Sequence, residues 1–194
     1  MNCAFIHIPK TAGKTVRKAL DLRPATITER NHNPYVTKGR ISFGHTTFKE
    51  AFTMMSDEFK ENAFKFCFSR NPFDRAVSMY VFLNQSVEGF TPTKKGFLDY
   101  TKLLLIERDR KIVTRTQCHW IENTEIDFTG KVENIADDLH HIADKIKVTI
   151  TEIPVLNTTK HAPYQEYYYQ ETVDNIVQLY KDDFKRFSYS TTLQ

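Results

Sequence analysis

Runs of period two and of period 3.6 alternate along this chain. Ala4, Phe5, Ile6, His7 and Ile8 form an apolar stretch that predicts a buried strand, and residues 15–20 after it predict a helix. Phe64, Phe66 and Phe68 recur at every second position and predict another strand, after which Asn71 suits a helix N-cap and Pro72 the first helical turn. Between the two, residues 48–64 predict one helix with Phe48, Ala51, Phe52, Met55 and Phe59 on one side, a stripe that core packing explains. Ile135, Leu139, Ile142 and Ile146 predict a helix capped by Asn134, with Asp137 and Asp138 in its first turn, and Lys147, Val148, Thr149 and Ile150 predict a strand. Val173, Ile176, Val177, Tyr180, Phe184 and Phe187 keep helical spacing, which predicts an amphipathic terminal helix docked on the core. Residues 98–120 join an apolar run, Leu103 to Ile106, to a charged stretch, Glu107 to Lys111, that reads as a solvated helical face rather than a track for an acidic acceptor. Residues 23–40 are polar and aperiodic, as expected of a loop that folds over a site. Strands alternating with helices predict an α/β fold of three layers, a central parallel sheet flanked by helices.

Composition narrows this picture only slightly. With 194 residues and 40% hydrophobic content, the chain is expected to form a single domain spanning residues 1–194. A net charge of +3 is too small to argue for nucleic acid, yet it suits an anionic ligand. Cys3, Cys67 and Cys118 show no C-x-x-C spacing and read as reduced core thiols. Neither a leader pattern nor an apolar run of about 18 residues is present, so a cytoplasmic chain without a membrane span is expected, in which Asn84-Gln85-Ser86 and Asn157-Thr158-Thr159 are sequons by chance.

The chemistry concentrates at two places. The first is the turn Pro9-Lys10-Thr11-Ala12-Gly13-Lys14-Thr15, where a strand runs through small and basic residues into a helix whose free N–H groups face the turn. An anion fits between those amides and the ammonium groups of Lys10 and Lys14. Gly13-Lys14-Thr15 matches the second half of the nucleotide-triphosphate loop Gly-x-x-x-x-Gly-Lys-Ser/Thr, but Ile8 stands where its first glycine belongs, so the loop alone leaves the phosphate ligand open. The second place is Ser69-Arg70-Asn71-Pro72, at the carboxyl end of the aromatic strand, with Ser78 about two helical turns further on. An ATPase or kinase wants a magnesium-holding carboxylate at such a strand end, whereas Arg70 wants a second anion.

These residues resemble the sulfotransferases that use 3′-phosphoadenosine 5′-phosphosulfate (PAPS), particularly the carbohydrate O-sulfotransferase branch that includes heparan sulfate 2-O-sulfotransferases. Pro9-Lys10-Thr11-Ala12-Gly13 is similar to their 5′-phosphosulfate loop, and Arg70-Asn71-Pro72-x-x-Arg75-x-x-Ser78 to their 3′-phosphate motif. Lys131-Val132-Glu133-Asn134-Ile135, then Leu156-Asn157-Thr158-Thr159-Lys160 with Tyr164, and the ending Tyr180-Lys181-Asp182-Asp183-Phe184-Lys185-Arg186-Phe187 extend the resemblance along the chain. It implies a P-loop-like fold, PAPS as donor and PAP as product, no metal, and in-line transfer of a sulfuryl group to a hydroxyl, expected to be on a saccharide. Lys10 is then expected at the bridging oxygen and the amides of Thr11, Ala12, Gly13, Lys14 and Thr15, with the Thr15 hydroxyl, on the 5′-phosphate. Arg70 and Ser78 are expected on the 3′-phosphate. His45, in a Gly44-His45 pair similar to the segment carrying the family's catalytic histidine, is the expected base. Lys14 departs from the family, which carries a small hydroxyl residue there, and either adds charge to the phosphate site or points to solvent.

Two other readings stand beside this one: a P-loop kinase or ATPase, supported by Gly13-Lys14-Thr15, and a domain that binds nucleotide without turning it over. Tyr35, Trp120 and Tyr167-Tyr168-Tyr169 offer rings on which a sugar could stack, although core packing accounts for them equally.

Overall fold

Five parallel strands make the sheet of the computed structural model, which describes residues 1–25, 36–44, 46–107, 112–122, 124–156 and 161–193. The strands are β1 (Cys3–His7), β2 (Arg23–Pro24), β3 (Arg40–Gly44), β4 (Phe64–Ser69) and β5 (Phe128–Lys131), and their order is β2-β3-β1-β4-β5. The parallel sheet flanked by helices is the predicted architecture. β1 pairs on both sides, and Cys3 to Ile6 are wholly buried, which explains a nearly continuous apolar run rather than a clean alternation. His7 stands opposite Gly44 and Ile6 opposite Cys67, so the carboxyl ends of β1, β3 and β4 meet at one edge of the sheet.

The chain packs as two units. The first, Met1–Ser69 with His119–Asn157, contains the sheet, α1 (Gly13–Ala19), α2 (Phe48–Thr53), α3 (Asp57–Asn62) and α7 (Ile135–Ile146). Its core joins Phe5, Phe66 and Phe68 of the sheet to Val16 and Leu20 on one side of α1 and to Leu139, Ile142 and Ile146 of α7. The second, Arg70–Cys118 with Thr158–Gln194, contains α4 (Pro72–Asn84), α5 (Lys94–Ile106), α8 (Gln170–Leu179) and α9 (Lys181–Arg186). Aromatic rings dominate its core, with Phe97 against Tyr168 (centroids 5.1 Å apart) and Phe73 against Phe184 (5.0 Å). A short helix, α6 (Gln117–Trp120), carries the chain back from the second unit to the first.

Several expectations are corrected. Residues 48–64 form two helices and the start of β4, not one helix. Met55 pairs with Val36, whose N–H and C=O are taken by Met54 and Ser56, and the Ser56 hydroxyl then caps α3. The predicted strand at 147–150 forms no ladder among the described residues. Lys147 adopts a left-handed conformation that ends α7, and Val148 and Ile150 pack on the core as irregular chain. Asn134 does not cap α7; its side chain donates to Asp138, which accepts the Lys131 amide at 2.6 Å. The terminal helix is broken at Tyr180, whose hydroxyl donates to Thr114 O (3.0 Å). Asn71 does cap α4, accepting from the Phe73 amide at 3.0 Å. All three cysteines are free thiols, and burial pushes the Cys3 thiol up to about 12, so it stays protonated at neutral pH.

β5 drew no sequence signal because Gly130 interrupts it. Its glycine is dictated by the neighbouring strand, since a Cβ there would lie 2.6 Å from Cε1 of the buried Phe68 ring. Gly130→Ala is therefore expected to lower stability by about 1–3 kcal/mol through overpacking, read as a lower midpoint at unchanged slope in urea denaturation. A midpoint within error of the wild type would show that the ring yields freely.

Candidate active site

Beyond His7 the chain turns sharply. Lys10 (φ 66°) and Ala12 (φ 57°) both take left-handed backbone conformations that side chains disfavour, at a cost of roughly 1–2 kcal/mol each. The surroundings hold the turn in place. Thr11 is fully buried and its hydroxyl donates to Ile8 O (2.9 Å), while the Val16 amide donates to Ala12 O (3.1 Å) to open α1. Thr11 thus closes the loop with its side chain and leaves only its amide for a ligand.

Gly13 is not one of the residues at which the backbone bends; the left-handed positions are Lys10 and Ala12. Glycine is needed at 13 for a different reason: a Cβ there would stand 1.9 Å from His7 Cδ2 and 2.0 Å from Nε2. The His7 imidazole, stacked on Phe5 (centroids 5.8 Å apart, planes at 14°), therefore forms the floor under the first turn of α1. That turn has no acidic residue and no side-chain cap, whereas Thr47, Ser56, Asn71 and Thr93 cap α2, α3, α4 and α5. Lys14 is exposed and Lys10 half-buried. Thr15 is buried, and its Oγ1 accepts from the Leu156 amide (3.4 Å). A first turn without a side-chain cap or an acidic residue, with two lysines on the loop, suits a phosphate.

At the same edge, Gly44 ends β3 beside His7. His45, the expected base, lies outside the described residues, as do Tyr35, Asn157, Thr158, Thr159, Lys160, part of the 23–40 loop and part of the charged stretch after Ile106. Thr46 and Thr47 follow, and Thr47 makes a reciprocal cap with Glu50. From Thr47 a cavity of about 810 Å3 extends, lined among others by Phe48, Phe52, His119, Glu122 and Glu125. Of the proposed stacking rings, Trp120, Tyr167 and Tyr168 are core residues, and Tyr169 is exposed, with Lys94 Nζ 4.3 Å from its ring centre.

In the second unit, Arg70 is the first residue after β4. Its Nε and Nη2 donate to the two carboxylate oxygens of Asp74 (2.7 and 2.8 Å), a two-pronged pair that holds the guanidinium in one orientation. Its backbone is held too, since its N–H donates to Gln117 Oε1 and its C=O accepts from Gln117 Nε2, both at 2.9 Å. Ser78 is 1% exposed within α4. Arg75, part of the recognised motif, is buried and donates to Val113 O and Arg115 O. The sequence reading missed Asp74 and Gln117. Asp74 stands four positions after Arg70 on one helix face, a legible spacing; Gln117 gave no signal.

Thus the structure gathers Lys10, Thr11, Ala12, Gly13, Lys14 and Thr15 into one loop at the strand-end edge, with Gly44 beside it, and places Arg70 and Ser78 in the second unit. The fold and the loop define the class: an α/β protein with a sharp, lysine-bearing turn after its central strand. The chain belongs to the sulfotransferase family, whose model matches residues 2–190. Among solved structures, it is similar to mouse sulfotransferase SULT7A1 complexed with PAP, at 15% identity and a TM-score of 0.49 over 95% of this chain. The chain spans 65% of that protein's length. No curated protein matches the sequence.

The His7 and Gly13 contact yields a double-mutant test. Gly13→Ala alone is expected to destabilise the protein by pressing on the imidazole, and His7→Ala to make room, so the double variant is more stable than the sum of the two by about 1–3 kcal/mol. Chemical denaturation of the four proteins measures this coupling, and strict additivity would mean the ring does not confine position 13.

Proposed function

We propose that this chain is a PAPS-dependent O-sulfotransferase that moves a sulfuryl group to a hydroxyl, with a saccharide as acceptor. The reading rests above all on the loop at residues 9–15, whose uncapped amides and paired lysines suit the 5′-phosphate end of such a donor. When bound, PAPS supplies an activated sulfuryl group on a phosphate leaving group. The amides of Thr11 to Thr15 and the Thr15 hydroxyl hold that phosphate, and Lys10 neutralises the charge that grows on the bridging oxygen as its bond to sulfur breaks. Lys14, exposed at the first turn of α1, adds long-range attraction for the anion. Arg70, with its guanidinium oriented by Asp74, binds the 3′-phosphate together with Ser78.

His45 takes the proton from the acceptor hydroxyl as the oxygen attacks sulfur. Its neighbour Gly44 stands at the carboxyl end of β3 beside His7, which supports a base close to the loop. The cavity beyond Thr47, with the Phe52 ring 40% exposed and hydroxyl and carboxylate groups around it, suits a sugar better than a lipid. Three free thiols suit a reducing, cytoplasmic setting, and no helix among the described residues is long and apolar enough to cross a membrane.

Calorimetric titration with PAP in the absence of magnesium is expected to show binding, and turnover of PAPS is expected on a panel of sugars. Lys10→Ala should reduce kcat by on the order of 10²–10³, and His45→Ala by about 10²–10⁴. Near-normal turnover in either variant would remove that residue from the mechanism. Magnesium-dependent ATP binding with no response to PAP would favour the kinase reading that Gly13-Lys14-Thr15 supports.

A further inference from the structure

The geometry points to Gln117 as a positioning residue for the donor site, held in place by Asp183, with Arg70 as the group it positions; the inference rests on Arg70 being a phosphate ligand. Arg70 is the first residue past the end of β4, where the ladder that fixed the strand backbone has run out. Gln117 takes over that task. Its side-chain amide meets the Arg70 N–H and C=O with one acceptor and one donor, each at 2.9 Å, as a neighbouring strand would. A residue clasped at both backbone groups has its φ and ψ set, hence the direction of its Cα–Cβ bond, while Asp74 sets the far end of the same side chain.

Gln117 is itself over-determined. It opens α6, and the fully buried Asp183 caps that helix from another part of the unit: Oδ2 accepts the Gln117 amide (2.7 Å) and Oδ1 the Cys118 amide (2.8 Å). The chain leading into α6 is also tied down by Arg75 and Tyr180, both buried. Arg75 Nη2 reaches Val113 O (3.3 Å) and Arg115 O (3.1 Å), and the Tyr180 hydroxyl reaches Thr114 O (3.0 Å), with the Arg75 guanidinium 5.8 Å from the Tyr180 ring centre. Burying a carboxylate and a guanidinium is costly unless their bonds are satisfied, so a cluster of such groups on one short segment argues that the segment's geometry matters. What that geometry delivers is the clasp on Arg70.

The test uses the full chain and PAP as the probe. Gln117→Met keeps the side chain's length and volume but removes both hydrogen bonds, Gln117→Glu keeps the acceptor half, and Arg70→Ala is the reference. Arg70→Ala is expected to weaken PAP binding by about 30-fold or more, and Gln117→Met by about tenfold, with Gln117→Glu in between. In the two Gln117 variants the donor KM should rise in parallel with Kd, while kcat at saturating donor stays within threefold. A purely structural role would instead lower the melting temperature and the active fraction and leave the Kd of the folded protein unchanged. PAP affinity of Gln117→Met within twofold of wild type, when Arg70→Ala has lost it, overturns the positioning role. Unchanged affinity in Arg70→Ala overturns the assignment of Arg70 itself, and with it this inference. Asp183→Asn provides a second route, since it disturbs the cap without touching the clasp; it is expected to weaken PAP binding severalfold, and normal affinity in a folded Asp183→Asn removes Asp183 from the chain of support.

Discussion

Parallel pairing of β1 with β3 on one side and β4 on the other is the constraint on which the rest of the structure depends. In a parallel ladder the carboxyl ends of neighbouring strands coincide, so β1, β3 and β4 end, at His7, Gly44 and Ser69, along the same edge of the sheet. Burial enforces the register. Shifting β1 by one residue would turn Phe5 away from Phe66, whose ring it stacks on at 5.1 Å, and would move the packed face of the strand off α1 and α7.

From that edge, strain becomes usable. Left-handed backbone at Lys10 and Ala12 is unfavourable locally, and it persists because Thr11 is buried with its hydroxyl on Ile8 and because α1 is anchored in the core by Val16 and Leu20. The result is a sharp turn built without glycine at the positions that bend. His7 contributes by shape, filling the volume beneath Gly13. In the second unit the same problem is solved by polar contacts. Where β4 ends, side chains take over from the strand ladder: Gln117 holds the Arg70 backbone and Asp74 the guanidinium, and Asp183, Arg75 and Tyr180 hold the segment that carries Gln117.

Much of this was legible in the residue pattern. The buried strand at 4–8, the aromatic strand at 64–68, the Asn71 cap with Pro72 behind it and the core stripe of α7 all follow from local rules, and the motifs around Lys10 and Arg70 pointed to the sulfotransferase family. Errors arose where a distant partner overrode local preference. The stripe over residues 48–59 is continuous in sequence, yet the pairing of Met55 with Val36 breaks it into two helices. The alternation at 147–150 suits a strand, but it packs on the core with no ladder partner among the described residues. β5 went unpredicted, and its Gly130 is explained by the Phe68 ring across the ladder.

What the sequence determined by itself was most of the elements and, through the motifs around Lys10 and Arg70, the family, because both depend on residues close together along the chain. The tertiary structure alone decided which glycine is required and why, where the backbone bends, and that Gln117 and Asp183 stand behind Arg70, 47 and 113 residues distant along the chain. Those outcomes depend on which side chains meet across the fold, and a contact between groups so far apart in sequence leaves no periodicity or spacing by which to read it.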